Sequence, residues 1–156
     1  MPTKSPDEWA FAKDRQTIEI NVLGAIAWLN EAAQRFAVAQ QGTLVGIGSV
    51  AGDRGRRDFP VYGASKAALE TYLEGVRNRV GRLGVRVVTI KPGPVRTPLT
   101  ENVGKQPMII EADEAARQIL RAAARGPEVA YVPAKWRPVM FAVRSVPSFL
   151  FRKANI

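Results

Sequence analysis

A tyrosine and a lysine stand four residues apart in the segment VYGASKAALETYLEGVR, residues 61–77. Four residues is slightly more than one helical turn, so Tyr62 and Lys66 are expected to project from the same face of a helix. A free phenol has a pKa of about 10, and a nearby cation favours the ionised form and lowers that pKa. A phenol tuned in this way can exchange a proton with a carbonyl or alcohol oxygen. The pair therefore predicts either proton-transfer chemistry or an ordinary surface pair on a helix.

The composition narrows the choice of catalyst, because the chain contains no histidine and no cysteine. Nucleophile systems that depend on histidine are excluded, most zinc sites are excluded with them, and no metal site is predicted. Proton transfer is therefore assigned to tyrosine, lysine, a carboxylate or a hydroxyl. The lack of cysteine fits a cytoplasmic location. No apolar stretch reaches the roughly 18 residues that a transmembrane helix needs.

Helical and strand-like segments alternate along the chain. The hydrophobic pattern predicts a helix start at 5–8, helices at 15–40, 61–83 and 111–126, strands at 43–50, 85–90 and 128–133, and a loop at 91–98. This alternation is typical of right-handed crossovers in a parallel sheet. We therefore predict a single α/β domain over residues 1–156, in which a three-stranded sheet leaves one edge or face without a partner.

The elements that would position the chemistry meet at one edge of this sheet. Ser49 lies at the carboxyl end of the first predicted strand, and ligands of open parallel sheets gather at such ends. A hydroxyl there can polarise and orient a substrate oxygen beside Tyr62. Ser49, Tyr62 and Lys66 are therefore candidates for one site.

Four ordered motifs resemble those of the short-chain dehydrogenase/reductase family. They are NVLG at 21–24, GIGSVAG at 46–52, YGASKAAL at 62–69 and KPGPVRTPL at 91–99. Ser49 precedes Tyr62 by thirteen residues, as in the family, whereas Gly48 stands where the family usually has a second serine. The resemblance implies a three-layer Rossmann-like fold with a parallel sheet. It also implies an oxidoreductase that transfers hydride between NAD or NADP and a carbonyl or alcohol substrate.

The resemblance implies a role for each motif residue. Tyr62 is expected to act as general acid/base, and Lys66 to lower its pKa and bind the nicotinamide ribose. Ser49 is expected to orient the substrate oxygen, and Asn21 to anchor a water molecule in a proton relay. The residues expected to line the nicotinamide end are Pro92, Gly93, Val95 and Thr97.

Three of these residues also have purely structural interpretations. Asn21 can form a hydrogen bond within a helix kink, Gly93 can serve the geometry of a turn, and Thr97 can cap the turn that follows it.

The glycine-rich turn that binds the cofactor pyrophosphate in this family does not precede Asn21, and the first glycine is Gly24. The residue that selects NAD or NADP and the Asn-Asn-Ala-Gly element are not found either. The sequence thus matches the C-terminal, catalytic and nicotinamide half of the fold, with about three strands. Three interpretations remain: part of a longer reductase, which we favour, an inactive remnant, or a binding or regulatory module.

The C-terminal segment 131–156 is both basic and apolar, with five basic residues and no acidic one. Its apolar residues recur at helical spacing, and Pro147 is expected to kink or split the helix. The segment predicts either peripheral contact with an anionic membrane through residues 135–153 or packing over the substrate cleft or a subunit. The net charge of +9 comes without a nucleic-acid recognition motif, and it also suits a solubilising surface.

The resemblance further implies a homo-oligomer that associates through the predicted helices at 15–40 and 61–83. The predicted loop at 99–110 would cover the cleft, and its MII sequence at 108–110 is consistent with an apolar lid. Contact of the tail with lipid would favour a small-molecule carbonyl or alcohol substrate that is apolar or lipid-like.

Overall fold

The computed structural model describes residues 9–98, 100 and 106–153 of the chain. The strands are β1 (Gly42–Ile47), β2 (Val85–Pro92), β3 (Val95–Arg96), β4 (Ile110–Glu111) and β5 (Val129–Val132). The helices are α1 (Phe11–Ile18), α2 (Ala25–Ala39), α3 (Pro60–Val80), α4 (Ala112–Arg125), α5 (Trp136–Ser145) and α6 (Ser148–Phe151). Strands β1, β2 and β5 form one parallel sheet, as predicted, and their order in it is β1-β2-β5.

The central strand β2 is buried on both faces, which makes the fold three-layered. Val85 and Val87 belong to a core that includes residues of α2 and α3. Val88 and Ile90 point to the opposite face and pack with Ala115 of α4. A parallel sheet with both faces covered by helices is the Rossmann-like α/β arrangement that the resemblance implies.

Helix α3 lies close against the sheet and thereby sets the position of the tyrosine near its start. Leu73 is fully buried, and its side chain fills the space that a side chain at Gly46 would need. The helix begins with Pro60 in its first turn, where the missing N–H costs nothing. A short 3-10 turn over Gly81–Leu83 follows, and Gly84 ends the segment with φ of +73°. This end matches the prediction.

The helix predicted at 15–40 differs from the structure in its start and in its interior. Helical structure begins at Phe11, four residues earlier, and a π-helical segment, Glu19–Gly24, separates α1 from α2. The predicted helix start at 5–8 lies outside the described residues.

The strand predicted at 43–50 ends early, because the backbone turns at Ser49 into the 3-10 turn Val50–Gly52. The loop predicted at 91–98 is partly wrong. β2 continues through Pro92, and β3 pairs in parallel with β4.

Helix α4 and the C-terminal tail follow their predictions closely. In α4, Ala115 is buried, Ile119 and Ala122 pack against the sheet, and Gly126 ends the helix with φ of +73°. The tail is split at Pro147 into α5 and α6.

The start of the tail belongs to the core rather than to the surface. Trp136 and Met140 are buried beside Val50, and Met108 packs against them. Of the predicted lid at 99–110, residues 99 and 101–105 lie outside the described part of the chain.

Both edges of the sheet have no further strand beside them among the described residues, since β1 and β5 each pair with β2 alone. Ile47, at the end of β1, is 43% exposed. The predicted unpartnered edge is therefore found at β1. Within the described ranges, no helix combines the length and hydropathy that crossing a bilayer would need.

Candidate active site

The first element of the site is the turn that follows β1. Ser49 is extended and caps the 3-10 turn after it, and its Oγ accepts a hydrogen bond of 3.1 Å from the backbone N of Ala51. The residue is only 9% exposed. Tyr62 lies in the first turn of α3, and its phenol is near enough to the Ser49 side chain for that hydroxyl to influence its pKa. The end of β1 and the start of α3 thus bring the two hydroxyl-bearing side chains near each other.

Lys66 follows Tyr62 by one helical turn, and its ammonium lies beside the phenol. Its Nζ is 5.8 Å from the centroid of the Tyr62 ring. The same Nζ donates a 3.0 Å hydrogen bond to the backbone oxygen of Ile47, the last residue of β1. The structure therefore brings together the three candidates Ser49, Tyr62 and Lys66.

The electrostatics of this group differ from the sequence-based expectation. Burial raises the pKa of Tyr62; the Ser49 side chain opposes this rise, and the negative charge of Glu70 adds to it. Burial lowers the pKa of Lys66, against the opposing effect of Glu70. The expectation of a lowered pKa for the phenol is wrong for this arrangement, because burial raises that pKa and Lys66 is not among the groups that shift it. At neutral pH the phenol keeps its proton.

Asn21 lies in the π-helical segment between α1 and α2, and it is joined to the helix that carries the phenol. Its Nδ2 donates a 3.0 Å hydrogen bond to Oγ of Ser65, which is fully buried. Oγ of Ser65 in turn donates a 2.7 Å bond to the backbone oxygen of Tyr62. Single π turns within helices occur frequently at functional sites. Asn21 thus anchors the backbone of Tyr62, and its part in a water relay stays a prediction.

The residues predicted to line the nicotinamide end lie at the same carboxyl edge of the sheet. Pro92 ends β2, and the N–H of Gly93 donates a 2.8 Å hydrogen bond to the backbone oxygen of Val132. Val95 lies in β3, and Thr97 follows that strand. The short β3–β4 pairing therefore holds Val95 and Arg96, the later part of the Pro-Gly segment (residues 92–97), in extended form.

Sequence reasoning missed a buried ionic network directly behind these residues. Nζ of Lys91 lies 2.6 Å from Oδ1 of Asp53 and 2.9 Å from Oε2 of Glu70. The other Asp53 oxygen accepts a 2.9 Å hydrogen bond from the hydroxyl of Tyr131. The other Glu70 oxygen accepts a 2.9 Å bond from the backbone N of Ser49.

The network determines the ionisation of its own members. Burial acts to lower the pKa of Lys91, but the hydrogen bonds to Asp53 and Glu70 outweigh it, so that the pKa is raised. Burial, and then the bond to Asp53, raise the pKa of Tyr131. Lys91 is therefore a cation held between two carboxylates.

Two features of the sequence could have indicated this network. Glu70 stands four residues after Lys66 and so shares its helix face. Gly48 departs from the family motif, and the Glu70 carboxylate occupies the space that a side chain at position 48 would need.

Comparison with known proteins shows the family of the chain and agrees with its fold. The family model described as short chain dehydrogenase matches residues 3–108, and the chain belongs to this family. An uncharacterized oxidoreductase of Mycobacterium tuberculosis is 31% identical over 87% of this chain and 55% of its own length. One of Streptomyces coelicolor is 39% identical over 72% of this chain and 44% of its own length. The chain thus spans about half the length of these relatives.

Solved structures of the same family resemble the chain in three dimensions. A short chain dehydrogenase/reductase family protein is 29% identical, with a TM-score of 0.73, over 83% of this chain and 60% of its own. The short-chain dehydrogenase of Sphingobium yanoikuyae in complex with NADPH is 25% identical, with a TM-score of 0.69, over 84% of this chain and 56% of its own. A short-chain dehydrogenase of Burkholderia cenocepacia in complex with NADP is 23% identical, with a TM-score of 0.78, over 94% of this chain and 66% of its own. At this identity the likeness supports the fold alone.

Proposed function

We propose that this chain carries the catalytic site of an oxidoreductase that transfers hydride between NAD or NADP and a carbonyl or alcohol substrate. The observation that carries the proposal is the position of the Lys66 ammonium, which lies 5.8 Å from the centroid of the Tyr62 ring and binds the end of β1, the strand that leads to Ser49. Family membership and relatives named as oxidoreductases support it.

Each of the three side chains has a separate task in this proposal. Tyr62 holds its proton at neutral pH and is the acid that donates it to a carbonyl oxygen; in the reverse direction its phenolate form takes the proton from an alcohol. The Ser49 hydroxyl orients that oxygen. Lys66 supplies a positive charge on the phenol side of the site, and this charge stabilises the phenolate that proton donation leaves behind.

The chemistry of the donors fits the nicotinamide and ribose end of the cofactor. An ammonium has three N–H donors, and the bond to Ile47 uses one of those of Lys66. Lys66 and Tyr62 would thus bind ribose hydroxyls, and the segment from Pro92 to Thr97 would face the nicotinamide. The cofactor, when bound, supplies the carbon that gives or accepts the hydride. That a neighbour of the same family was solved with NADPH supports this assignment.

An apolar substrate is supported by the side chains next to the site. Val50 directly follows Ser49 and is buried with Trp136 and Met140, and Met108 packs against them. A cleft beside such a cluster favours an apolar carbonyl compound over a charged one.

The test compares Tyr62→Phe with Tyr72→Phe. Tyr72 lies on the same helix, and its hydroxyl donates a hydrogen bond to Asn30, away from the site. Reduction of ketones and aldehydes is followed by the absorbance of NADH or NADPH. We expect Tyr62→Phe to lower kcat by about 10²-fold or more, the usual contribution of a general acid. Equal turnover by both variants, or no turnover by the unmodified chain, would refute the proposed activity.

A second candidate function, that of a membrane-peripheral module, is favoured by the exposed surface of the tail. Phe141 is 76% exposed and Phe149 is 60% exposed, and both lie among exposed basic residues such as Arg152. Apolar and basic side chains together suit an anionic lipid surface. On this second proposal the chain would be an inactive remnant that binds membranes or subunits.

Other contacts favour packing of the tail over the cleft. The Arg54 guanidinium lies 4.5 Å from the centroid of the Phe151 ring, and its Nη1 donates a 2.9 Å bond to the backbone oxygen of Arg144. These contacts tie the tail to the turn that follows Ser49. The tail can therefore border the substrate cleft and expose its outer face at once.

Co-sedimentation with vesicles of anionic lipid separates the two roles of the tail. Phe149→Ser should reduce pelleting if the tail binds lipid. Val38→Ser, at a position 88% exposed on α2, is the matched control and should leave pelleting unchanged. Equal pelleting of both variants and the unmodified chain would exclude the membrane role.

We also propose a homo-oligomer through the helical regions 15–40 and 61–83. Exposed apolar side chains on the first of these regions support it, among them Trp28 at 81% and Leu23 at 57%. Light scattering of Trp28→Glu should then give a smaller mass than the unmodified chain, and an unchanged mass would contradict this interface.

A further inference from the structure

The carboxylate of Glu70 is buried between two donors, and no neutral side chain of its length can accept from both. Oε1 accepts from the backbone N of Ser49, and Oε2 binds Nζ of Lys91, each at 2.9 Å. The Glu70 side chain is only 9% exposed. A glutamine here would have to direct its NH₂ group at one of the two donors, because an amide offers a single acceptor atom. The site therefore requires an ionised carboxylate.

Lys91 connects this carboxylate to the next loop of the site. It directly precedes Pro92, and its ammonium is fixed from the other side by Asp53, whose side chain is 1% exposed. Tyr131, on the neighbouring strand β5, donates to the same aspartate. One buried network thus joins the turn at Ser49 with the ends of two further strands.

The backbone on both sides of Ser49 is shaped to admit Glu70. A Cβ at Gly48 would collide with Oε1 of Glu70. A Cβ at Gly52 would stand 2.8 Å from each carboxylate oxygen, closer than real Cβ atoms come. Glycine at these two positions and glutamate at position 70 are therefore parts of one arrangement, which explains the departure of Gly48 from the family motif.

We propose that Glu70, held by Lys91 and Asp53, is a positioning residue that fixes Ser49 relative to Tyr62 and to the Pro-Gly segment. The positioning of Ser49 is a property of this chain, while its value for catalysis rests on the proposed function. Glu70 touches the Ser49 backbone and leaves the hydroxyl free to contact Tyr62.

The charge of Glu70 gives the proposal an independent readout. Three influences act on the pKa of Tyr62: burial, the Ser49 side chain and the negative charge of Glu70. The charge of Glu70 raises that pKa. Removing the charge should therefore lower the pKa of the phenol. The other charged or titratable groups around this cluster are Lys66, Lys91, Asp53, Tyr131, Arg56 and Arg144.

The experiment uses nuclear magnetic resonance of the whole chain with Glu70→Gln and the control Glu74→Gln. Glu74 lies one turn further along α3 and is exposed. We expect Glu70→Gln to move the Ser49 amide proton upfield and to speed its exchange with solvent about tenfold, since it then lacks a charged acceptor. The midpoint of the Tyr62 titration, followed at the phenolic ¹³C, should fall. Glu74→Gln should change neither.

A second variant keeps every charge and removes only the space that the Glu70 carboxylate occupies beside residue 48. Gly48→Ala should displace the Glu70 carboxylate and give the same faster exchange at Ser49. Gly55→Ala is its control, because a Cβ there meets nothing within 4 Å. An unchanged Ser49 amide in both Glu70→Gln and Gly48→Ala would overturn the proposal, as would an unchanged Tyr62 midpoint in Glu70→Gln.

Turnover distinguishes failure of this proposal from failure of the proposed function. If the chain reduces a carbonyl compound, Glu70→Gln should lower kcat about tenfold and leave KM for the nicotinamide cofactor nearly unchanged. An unchanged kcat beside altered Ser49 signals would refute the positioning role. An inactive unmodified chain would refute the proposed function, and the Ser49 and Tyr62 signals would still decide whether Glu70 positions the serine.

Discussion

Replacing Lys91 with methionine removes the one cation that the described network places between Asp53 and Glu70. The substitution keeps the length of the side chain and its apolar stem. It leaves two carboxylates facing each other with side chains 1% and 9% exposed. The unfolded chain has no such penalty, because there both carboxylates are hydrated. The variant should therefore be destabilised.

The size of the destabilisation follows from the burial of the ion pair rather than from the N–O distance between its charged groups. Removing one partner of a buried ion pair typically costs about 3–5 kcal/mol. For a domain of this size, 1 kcal/mol corresponds to roughly 2–4 °C in Tm. We therefore expect Lys91→Met to lower Tm by about 6–20 °C. The cost of about 3–5 kcal/mol is a large part of the roughly 5–15 kcal/mol by which an average domain is stable against unfolding.

The matched control is Arg96→Met. Arg96 and Glu111 form an ion pair of 2.7 Å, almost as short as the 2.6 Å between Lys91 and Asp53. The Arg96 pair is 60% and 66% exposed, so its loss should cost at most about 1 kcal/mol. Urea and thermal unfolding followed by circular dichroism measure both variants. Equal destabilisation by the two substitutions would show that burial does not decide the strength of these pairs and would refute the reasoning.

Two further predictions concern pH and packing. The pKa of Lys91 is raised in the folded state, so its stabilising contribution is complete below the ordinary lysine value of about 10.4 and is lost as the pH rises through the folded-state pKa. Urea unfolding at increasing alkaline pH should therefore show the difference between the unmodified chain and Lys91→Met narrowing above about pH 10, and a constant difference would contradict it. Leu73→Ala should lower the free energy of unfolding by about 2–5 kcal/mol, because Leu73 is fully buried against Gly46. Leu120→Ala, at a position 69% exposed, should change it by no more than about 0.5 kcal/mol, and similar losses in both variants would contradict the packing.

The order of the elements and the identity of the three central site residues could be read from the sequence. Hydrophobic periodicity and glycine stops are local properties, and so the ends at Gly84 and Gly126 were predictable from the residues around them. The spacing of Tyr62 and Lys66 follows from helix geometry alone. Family motifs added Ser49 and the Pro-Gly segment to the same edge of the sheet.

The π-helical turn at Asn21 and the pairing of β3 with β4 could not be read in this way. Each depends on a partner distant in sequence: the side chain of Ser65 in the first case, and the strand at Ile110 in the second. Local propensity contains no information about such partners.

By itself the sequence determined the α/β class, the parallel order of elements and the candidates Ser49, Tyr62 and Lys66, because these follow from periodicity and motif spacing. Only the tertiary structure decided the sign of the shift in the Tyr62 pKa and the partners of Glu70. Both depend on burial and on distances between residues far apart in the chain, and electrostatic free energy is set by these distances and by the surrounding dielectric.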